Sequence, residues 1–419
     1  MIFQRDAYVY VGVDLHKATH VGMMVDCYGD PMGKALKVAN QVAAFPEWLE
    51  TVHKRAQGKG VIFGLEDVHG LGRALATFLL SRGYTVKYAN AYLTKPERDS
   101  VNKTDRNDAL AVARITAKQF WTLPDADVDE LQWALTQAVQ YRRGLVEEQT
   151  RVKNRLHAFL TQAHPAYLTY FCEPFGKTAL AFWERYSAAS SLAGVSLDDL
   201  AQFLREGSHF ALGYKQAEHI LSAVQGAEVR RYQEERDVHV RSVVRQLRHL
   251  DEQIAEARVQ LERLVGQTDY YLTDIPGFDV VMAAELISLV GDVTRFRKVD
   301  QFLAYTGIAP VTFGSGQQET RLRSQFGRRE LMALFHRIAS TQLVVHRNTG
   351  EPRNPEARAY FDRLLGEQAK LPKEKQDRKV RKKALLSLMR QQAIRFYKLM
   401  KAQKLAARER TAQEGPGVA

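Results

Sequence analysis

The chain has 419 residues, 45% of them hydrophobic and 26% charged, which is enough apolar material for the cores of two or three domains. Against 48 Asp and Glu stand 60 Lys and Arg, and the resulting net charge of +12 favours a polyanionic partner over a neutral or acidic one. Cys27 and Cys172 are too few for a disulfide framework or a thiolate zinc site, no apolar run is long enough to span a bilayer, and the opening MIFQRDAYVY lacks a secretory layout, so a cytoplasmic protein without a membrane partner is expected.

The first 122 residues alternate between strand and helix patterns. YVYVGVDL (8–15) and THVGMMVD (19–26) are β-rich and alternate, and a Gly-Asp-Pro turn at 29–31 leads into KALKVA as a third strand. Helical spacing follows over 41–55 (Val42, Phe45, Leu49, Val52), then a short buried strand GVIFGLE (60–66), a helix over 70–82 and a strand YTVKYAN. Three antiparallel strands followed by helix, strand, helix and strand is the order of a ribonuclease-H-like (RuvC-like) α/β domain. The remainder reads as all-α. Residues 123–268 form a helical region in which Val240, Val243, Leu247, Leu250, Ile254, Ala257, Leu261 and Leu264 repeat as a coiled-coil seam, with 141–160 as an antiparallel mate. This seam predicts either an arm that dimerises or an internal helical hairpin; 165–233 is mixed and uninformative. From 269 to 419 a mostly helical domain is expected. In it Pro276-Gly277 opens an apolar helix that ends at Gly291, in a pattern resembling a helix-hairpin-helix phosphate site but equally that of an ordinary capped helix. The stretch 370–408 is crowded with Lys and Arg, opposed only by Glu374 and Asp377, and suits a basic helix lying on nucleic acid.

Four carboxylates stand where a phosphoryl-transfer metal site needs them. Asp14 closes the first strand, and Glu66 closes the buried strand, where a carboxylate requires a partner. Asp105 and Asp108 open a helix three residues apart and so share one of its faces. Hard oxygen donors of this kind suit Mg2+ or Mn2+. Taken singly, each residue is equally a turn, a cap or a dipole partner. Asp67 should face away from Glu66. His16, His20 and His69 raise the question of zinc, but the first two have helical spacing in a strand-like segment and no thiolate accompanies them.

A second constellation is GIAPVTFGSGQQETRLRSQFGRREL. Ser315 lies between Gly314 and Gly316 in a stretch expected to be flexible, and Arg321, Arg323, Arg328 and Arg329 follow as candidate phosphate clamps or as a solvated basic face. A serine that attacks a phosphodiester holds the cut strand covalently and conserves bond energy for rejoining. Gly-Ser-Gly alone is ordinarily a turn, and Ser324 is a weaker alternative.

In order along the chain, VGVDLHK, GLEDVHGLGRAL, NKTDRNDA, IPGFDVVMAAELISLVGD with the following RF, and YTGIAP with Ser315-Gly316 five residues on resemble the DEDD transposases of bridge-RNA-guided insertion sequences, relatives of the pilin-gene DNA invertases. The resemblance covers most of 8–120 and 271–343. It implies a ribonuclease-H-like domain with Asp14, Glu66, Asp105 and Asp108 as acidic ligands, and a carboxy-terminal transposase domain with Ser315 as nucleophile. It further implies donor and target DNA, a structured guide RNA, and a homodimer or homotetramer in which the two sites join, with pairing reading sequence while the protein reads backbone shape. Two departures stand out: Val68-His69-Gly70 where relatives carry Thr-Gly, and Phe326-Gly327-Arg328-Arg329 in place of Lys-Arg-Gly-Asn. The competing readings are a metal-only Holliday-junction-type nuclease, a fixed-locus invertase, and a non-catalytic nucleic-acid binder.

Overall fold

The computed structural model describes residues 4–66, 70–89, 94, 104–126, 129–229, 231–315, 318–323, 327–346 and 349–414, with the backbone alone at 310–323, 411–412 and 414. The chain divides into two compact units, Met1–Glu130 and Leu131–Ala419.

The first unit is a five-stranded mixed sheet of order β3-β2-β1-β4-β5, formed by β1 (Tyr8–Asp14), β2 (Thr19–Val25), β3 (Leu36–Ala39), β4 (Gly60–Leu65) and β5 (Thr85–Tyr88). β1 pairs antiparallel with β2 and parallel with β4, so it is central and buried on both faces. Alternation sorts its side chains. Val9, Val11 and Val13 join Phe63 and Leu65 under α1 (Phe45–Ala56) and α2 (Arg73–Leu80), while Tyr10 and Gly12 face α3 (Asp105–Gln119).

Gly12 and Gly64 are direct partners across β1 and β4, and together they leave a bare patch of sheet. Onto it α3 lays its small residues. A β-carbon at Gly12 would fall inside the backbone of Ala113 and Ala109, and one at Gly64 would strike the Thr116 hydroxyl. The helix backbone therefore rests almost directly on the sheet. Thr104 caps α3, its hydroxyl accepting from the Asn107 amide at 3.3 Å.

The second unit is mostly helical: α4 (Glu130–Ala163), α5 (Lys177–Arg185), α6 (Leu197–Gly207), α7 (Tyr214–Ala223), α8 (Gln233–Val265), α9 (Val280–Val290), α10 (Val299–Thr306), α11 (Arg329–Gln342), α12 (Pro355–Leu365) and α13 (Arg378–Glu414). It holds two cores. One gathers Val152, Leu156 and Leu160 of α4 and Val240 to Leu250 of α8 around Phe182, Trp183 and Tyr170. The other gathers Leu135 and Ala138 of α4 and Leu261 and Leu264 of α8 around α9 to α13. The seam of α8 is thus consumed by both cores of its own chain, with Ile254 half-buried between them. Among the described residues no helix is long and apolar enough to cross a membrane.

Asp279 caps α9 with its own carboxylate, which accepts from the Met282 amide at 2.9 Å. That places negative charge where a phosphate of the helix-hairpin-helix kind would need bare amides, so the capped-helix reading of Pro276-Gly277 holds. The stretch around Ser315, expected to be flexible, is instead a β-hairpin of β6 (Pro310–Ser315) and β7 (Gln318–Arg323), and Ser315 pairs with Gln318 at its last rung.

Replacing Gly12 with Ala should cost about 3 kcal/mol or more, the upper range for overpacking, because the obstacle is backbone and cannot rotate away. Chemical denaturation followed by circular dichroism reads this loss.

Candidate functional site

Asp14 and Glu66 sit at the carboxyl ends of adjacent parallel strands, and the Glu66 amide bonds to the Val13 carbonyl at 3.4 Å as the ladder ends. The close seat of α3 brings its first turn to the same edge. Ala109 touches Gly12, so Asp108 and Asp105, one and four residues before it, meet a carboxylate two residues beyond Gly12. Asp108 is buried at 7% exposure, whereas the side chain of Asp105 is 63% exposed. Thr94 donates from its hydroxyl to Glu66 Oε2 at 2.9 Å.

Burial pushes the Asp14 carboxyl above its ordinary 3.8; His16 opposes the rise, and the charges of Asp108, Asp105 and Glu66 add to it. The other three predicted acidic residues are thus near enough for their charges to be felt at Asp14, and of them Asp105 brings a carboxylate oxygen within 4.8 Å of one of Asp14. Asp67 and His69 lie outside the described residues.

One member of the centre was not predicted. His16 Nε2 lies 3.1 Å from Asp14 Oδ2 and 3.6 Å from Asp105 Oδ1, and the ligating atoms of Asp14, His16 and Asp105 lie within 4.8 Å of one another. The signal was the two-residue spacing in Asp14-Leu15-His16, which on an extended chain gives both side chains one side. His20 is fully buried, stacks on Phe45 at 6.4 Å and accepts the His16 amide on Nδ1 at 3.3 Å. The two histidines are therefore divided between the centre and the core. The donor set, hard oxygens in a mutually repelling group at a half-buried edge, fits a divalent cation.

The second constellation is anchored at its base. Gly307, at φ +74°, ends α10, and Gly327 approaches it so closely that a β-carbon at 327 would overlap the Gly307 backbone. The Arg328 amide bonds to Tyr305 O at 2.9 Å; the Arg328 guanidinium and the Tyr305 hydroxyl both donate to Leu289 O, at 3.0 and 3.1 Å. Arg328 is thus engaged in holding the hairpin's foot, while Arg329 begins α11 and is exposed. Arg321 and Arg323 pair with Thr312 and Pro310 in the ladder; Ser324 lies outside the described residues.

Comparison with known proteins decides the family. A transposase profile of the DEDD IS110 type matches residues 11–165, and the profile of the IS116/IS110/IS902 transposase family matches 269–361. The chain belongs to the IS110 family of transposases. Over 348 residues this transposase is 24% identical to the 44.8 kDa protein of insertion element IS116 from Streptomyces clavuligerus, covering 80% of this chain and 85% of that one. Over 372 residues it is 25% identical to the 43.6 kDa protein of insertion element IS110 from Streptomyces coelicolor, covering 87% and 89%. The transposase profiles bracket both constellations, with the acidic edge in the first segment and the serine hairpin in the second.

A carboxyl raised by folding holds its proton more tightly in the native state. Its contribution is full in acid and is lost as pH rises from 3.8 through the raised value. Asp14→Asn should therefore melt at a higher temperature than the parent protein at pH 7 in EDTA, and should lose this part of the fall in stability with rising pH. Thermal melts from pH 3.5 to 7 test both.

Proposed function

We propose that this transposase cuts and rejoins DNA strands through a covalent serine–DNA intermediate, using a divalent cation held by Asp14, Glu66, Asp105 and Asp108 on a ribonuclease-H-like (RuvC-like) domain. The observation that carries the reading is the gathering of carboxylates from β1, the end of β4 and the first turn of α3 at one edge, where burial first and the neighbouring charges second raise the proton affinity of Asp14. A group of that charge density at a sheet edge favours a cation over any apolar or anionic occupant. When bound, Mg2+ or Mn2+ supplies Lewis-acid polarisation of a phosphate oxygen.

In the proposed reaction the Ser315 Oγ attacks the scissile phosphorus. The serine–phosphate bond forms as the phosphorus–oxygen bond to one strand end breaks, and that strand oxygen leaves with a proton. A hydroxyl of another strand end then attacks the serine phosphodiester, which restores the serine and joins the new strands. One phosphodiester is exchanged for another at each step, so no external energy source is needed. Arg321, Arg323 and Arg329 serve as phosphate clamps, with Arg328 spending part of its donor capacity on Leu289. Donor and target DNA are the substrates, and a structured guide RNA supplies sequence choice in a homodimer or homotetramer. Both named relatives are proteins of insertion elements, which favours a mobile element over a fixed invertase.

Ser315→Ala should bind DNA as the parent does yet lower the yield of protein-linked DNA on denaturing gels by about a hundredfold or more, the scale of removing a group on which a catalytic unit depends. An adduct of normal yield refutes the nucleophile assignment, and free ends from the parent protein would favour the metal-only nuclease.

The face of α13 turned away from its core offers the backbone contacts this function needs. Lys379, Lys382, Lys383 and Arg390 are exposed, share one side of the helix over about 16 Å, and pair with no carboxylate among the described residues. Changing them to Gln should flatten the dependence of log K on log salt for duplex DNA by about 0.9 for each phosphate that is no longer neutralised. An unchanged slope in a salt titration removes this face from the interface.

A further inference from the structure

His16 has no part in the four-carboxylate reading, yet it is the side chain set between two members of that group. Its backbone is pinned by the bond from its amide to the buried His20 ring, so its placement is built into the turn between β1 and β2. Its Nε2 stands 3.1 and 3.6 Å from oxygens of Asp14 and Asp105, which come from different segments. Donor atoms about 2.1 Å from a shared ion lie roughly 3.0 Å apart in an octahedron and roughly 3.4 Å apart in a tetrahedron. The two separations from Nε2 are close to that spacing, and all three donor atoms lie within 4.8 Å of one another. The imidazole is 43% exposed as a whole, but its Nε2 is buried, so the nitrogen is turned to the carboxylates and away from solvent.

We propose that His16 is a nitrogen ligand of the acidic centre and that it biases the centre towards Mn2+ over Mg2+. The inference rests on the metal-holding role proposed for the carboxylates and adds to it a donor and a selectivity. Carboxylate oxygens alone serve Mg2+ and Mn2+ alike. An imidazole nitrogen is a poor partner for Mg2+, which keeps to oxygen and water, and a good one for first-row transition ions. The alternative role for the ring is as a fixed counter-cation that relieves the repulsion between Asp14 and Asp105 and is displaced when an ion arrives.

Pulsed electron paramagnetic resonance on the full-length protein loaded with one equivalent of Mn2+ separates these roles. Nitrogen-14 modulation from a directly bound imidazole is expected in the parent protein and should vanish in His16→Ala while Mn2+ remains bound. In titrations the same variant should bind Mn2+ about tenfold or more weakly, the scale of losing one ordered donor at a metal site, with Mg2+ affinity changed much less. His16→Gln, which keeps a side chain of similar reach, should also lack the modulation. Bound Mn2+ without nitrogen modulation in the parent protein overturns the proposal but leaves the carboxylate site standing, and so does modulation that persists in His16→Ala. Failure of the parent protein to bind Mn2+ or Mg2+ at all overturns both.

Discussion

The helix α3 is seated on the paired glycines of the sheet, its backbone lying directly against Gly12 and its Thr116 side chain against Gly64. A larger residue at either position would lift the helix off the sheet. Because Asp105 and Asp108 ride on the first turn of that helix, lifting it would also carry them away from Asp14 and Glu66. The acidic centre is therefore a consequence of packing. Small residues on both sides of the interface set a helix-to-sheet distance, and that distance sets the separation of charges. Gly12 lies only two residues from Asp14, so the same strand supplies both the seat and one of the clustered carboxylates.

What the packing brings together, electrostatics pushes apart. Burial first, and then the charges of Asp108, Asp105 and Glu66, raise the proton affinity of Asp14, and this is a cost borne by the fold in the absence of a cation. The protein offsets it locally with the positive end of α3, the Thr94 hydroxyl on Glu66, and the ring of His16. Two other carboxylates of the same unit are each matched by a cation, Glu130 by Arg73 at 2.6 Å and Asp125 by Lys87 at 2.7 Å. At the edge formed by the ends of β1, β4 and α3 the carboxylates instead repel one another, and binding of a cation there would relieve that repulsion.

Much of this is legible from residue patterns. The strand ends at Asp14 and Glu66 follow from alternation and apolar runs that stop at a carboxylate, and Asp105 and Asp108 follow from their three-residue spacing at a helix start. His16 is obscured because its spacing to His20 is helical, whereas its meaningful partner is Asp14, two residues back on an extended chain. The middle of the chain is illegible for a different reason. Short helices between 177 and 223 bury aromatic residues such as Phe182 and Trp183, with Phe203 half-buried against them, in a cluster whose order comes from ring packing between elements, and packing of that kind leaves little period in any one of them. The long seam of α8 is apolar as its spacing requires, but its partners are the two cores on either side of its midpoint. A heptad pattern specifies that a stripe is covered and leaves open what covers it.

The hairpin bearing Ser315 shows how a departure from a family pattern can be structural in origin. Where relatives carry Lys-Arg-Gly-Asn, this chain has Phe326-Gly327-Arg328-Arg329, which keeps a glycine within the run. At 327 the backbone passes so near Gly307 that no side chain fits, and Arg328 then bonds to Tyr305 through its amide and to Leu289 through its guanidinium. The carbonyl of Leu289 lies in the last turn of α9, so the foot of the hairpin is tied to the most apolar helix of its core. Ser315 stands at the opposite end, on the final rung of the ladder. A serine mounted this way gains reach from the length of the ladder and definition from its anchored base. The chemistry proposed for it asks for both, since the same oxygen must meet the phosphorus once to cut and hold it until a second strand arrives.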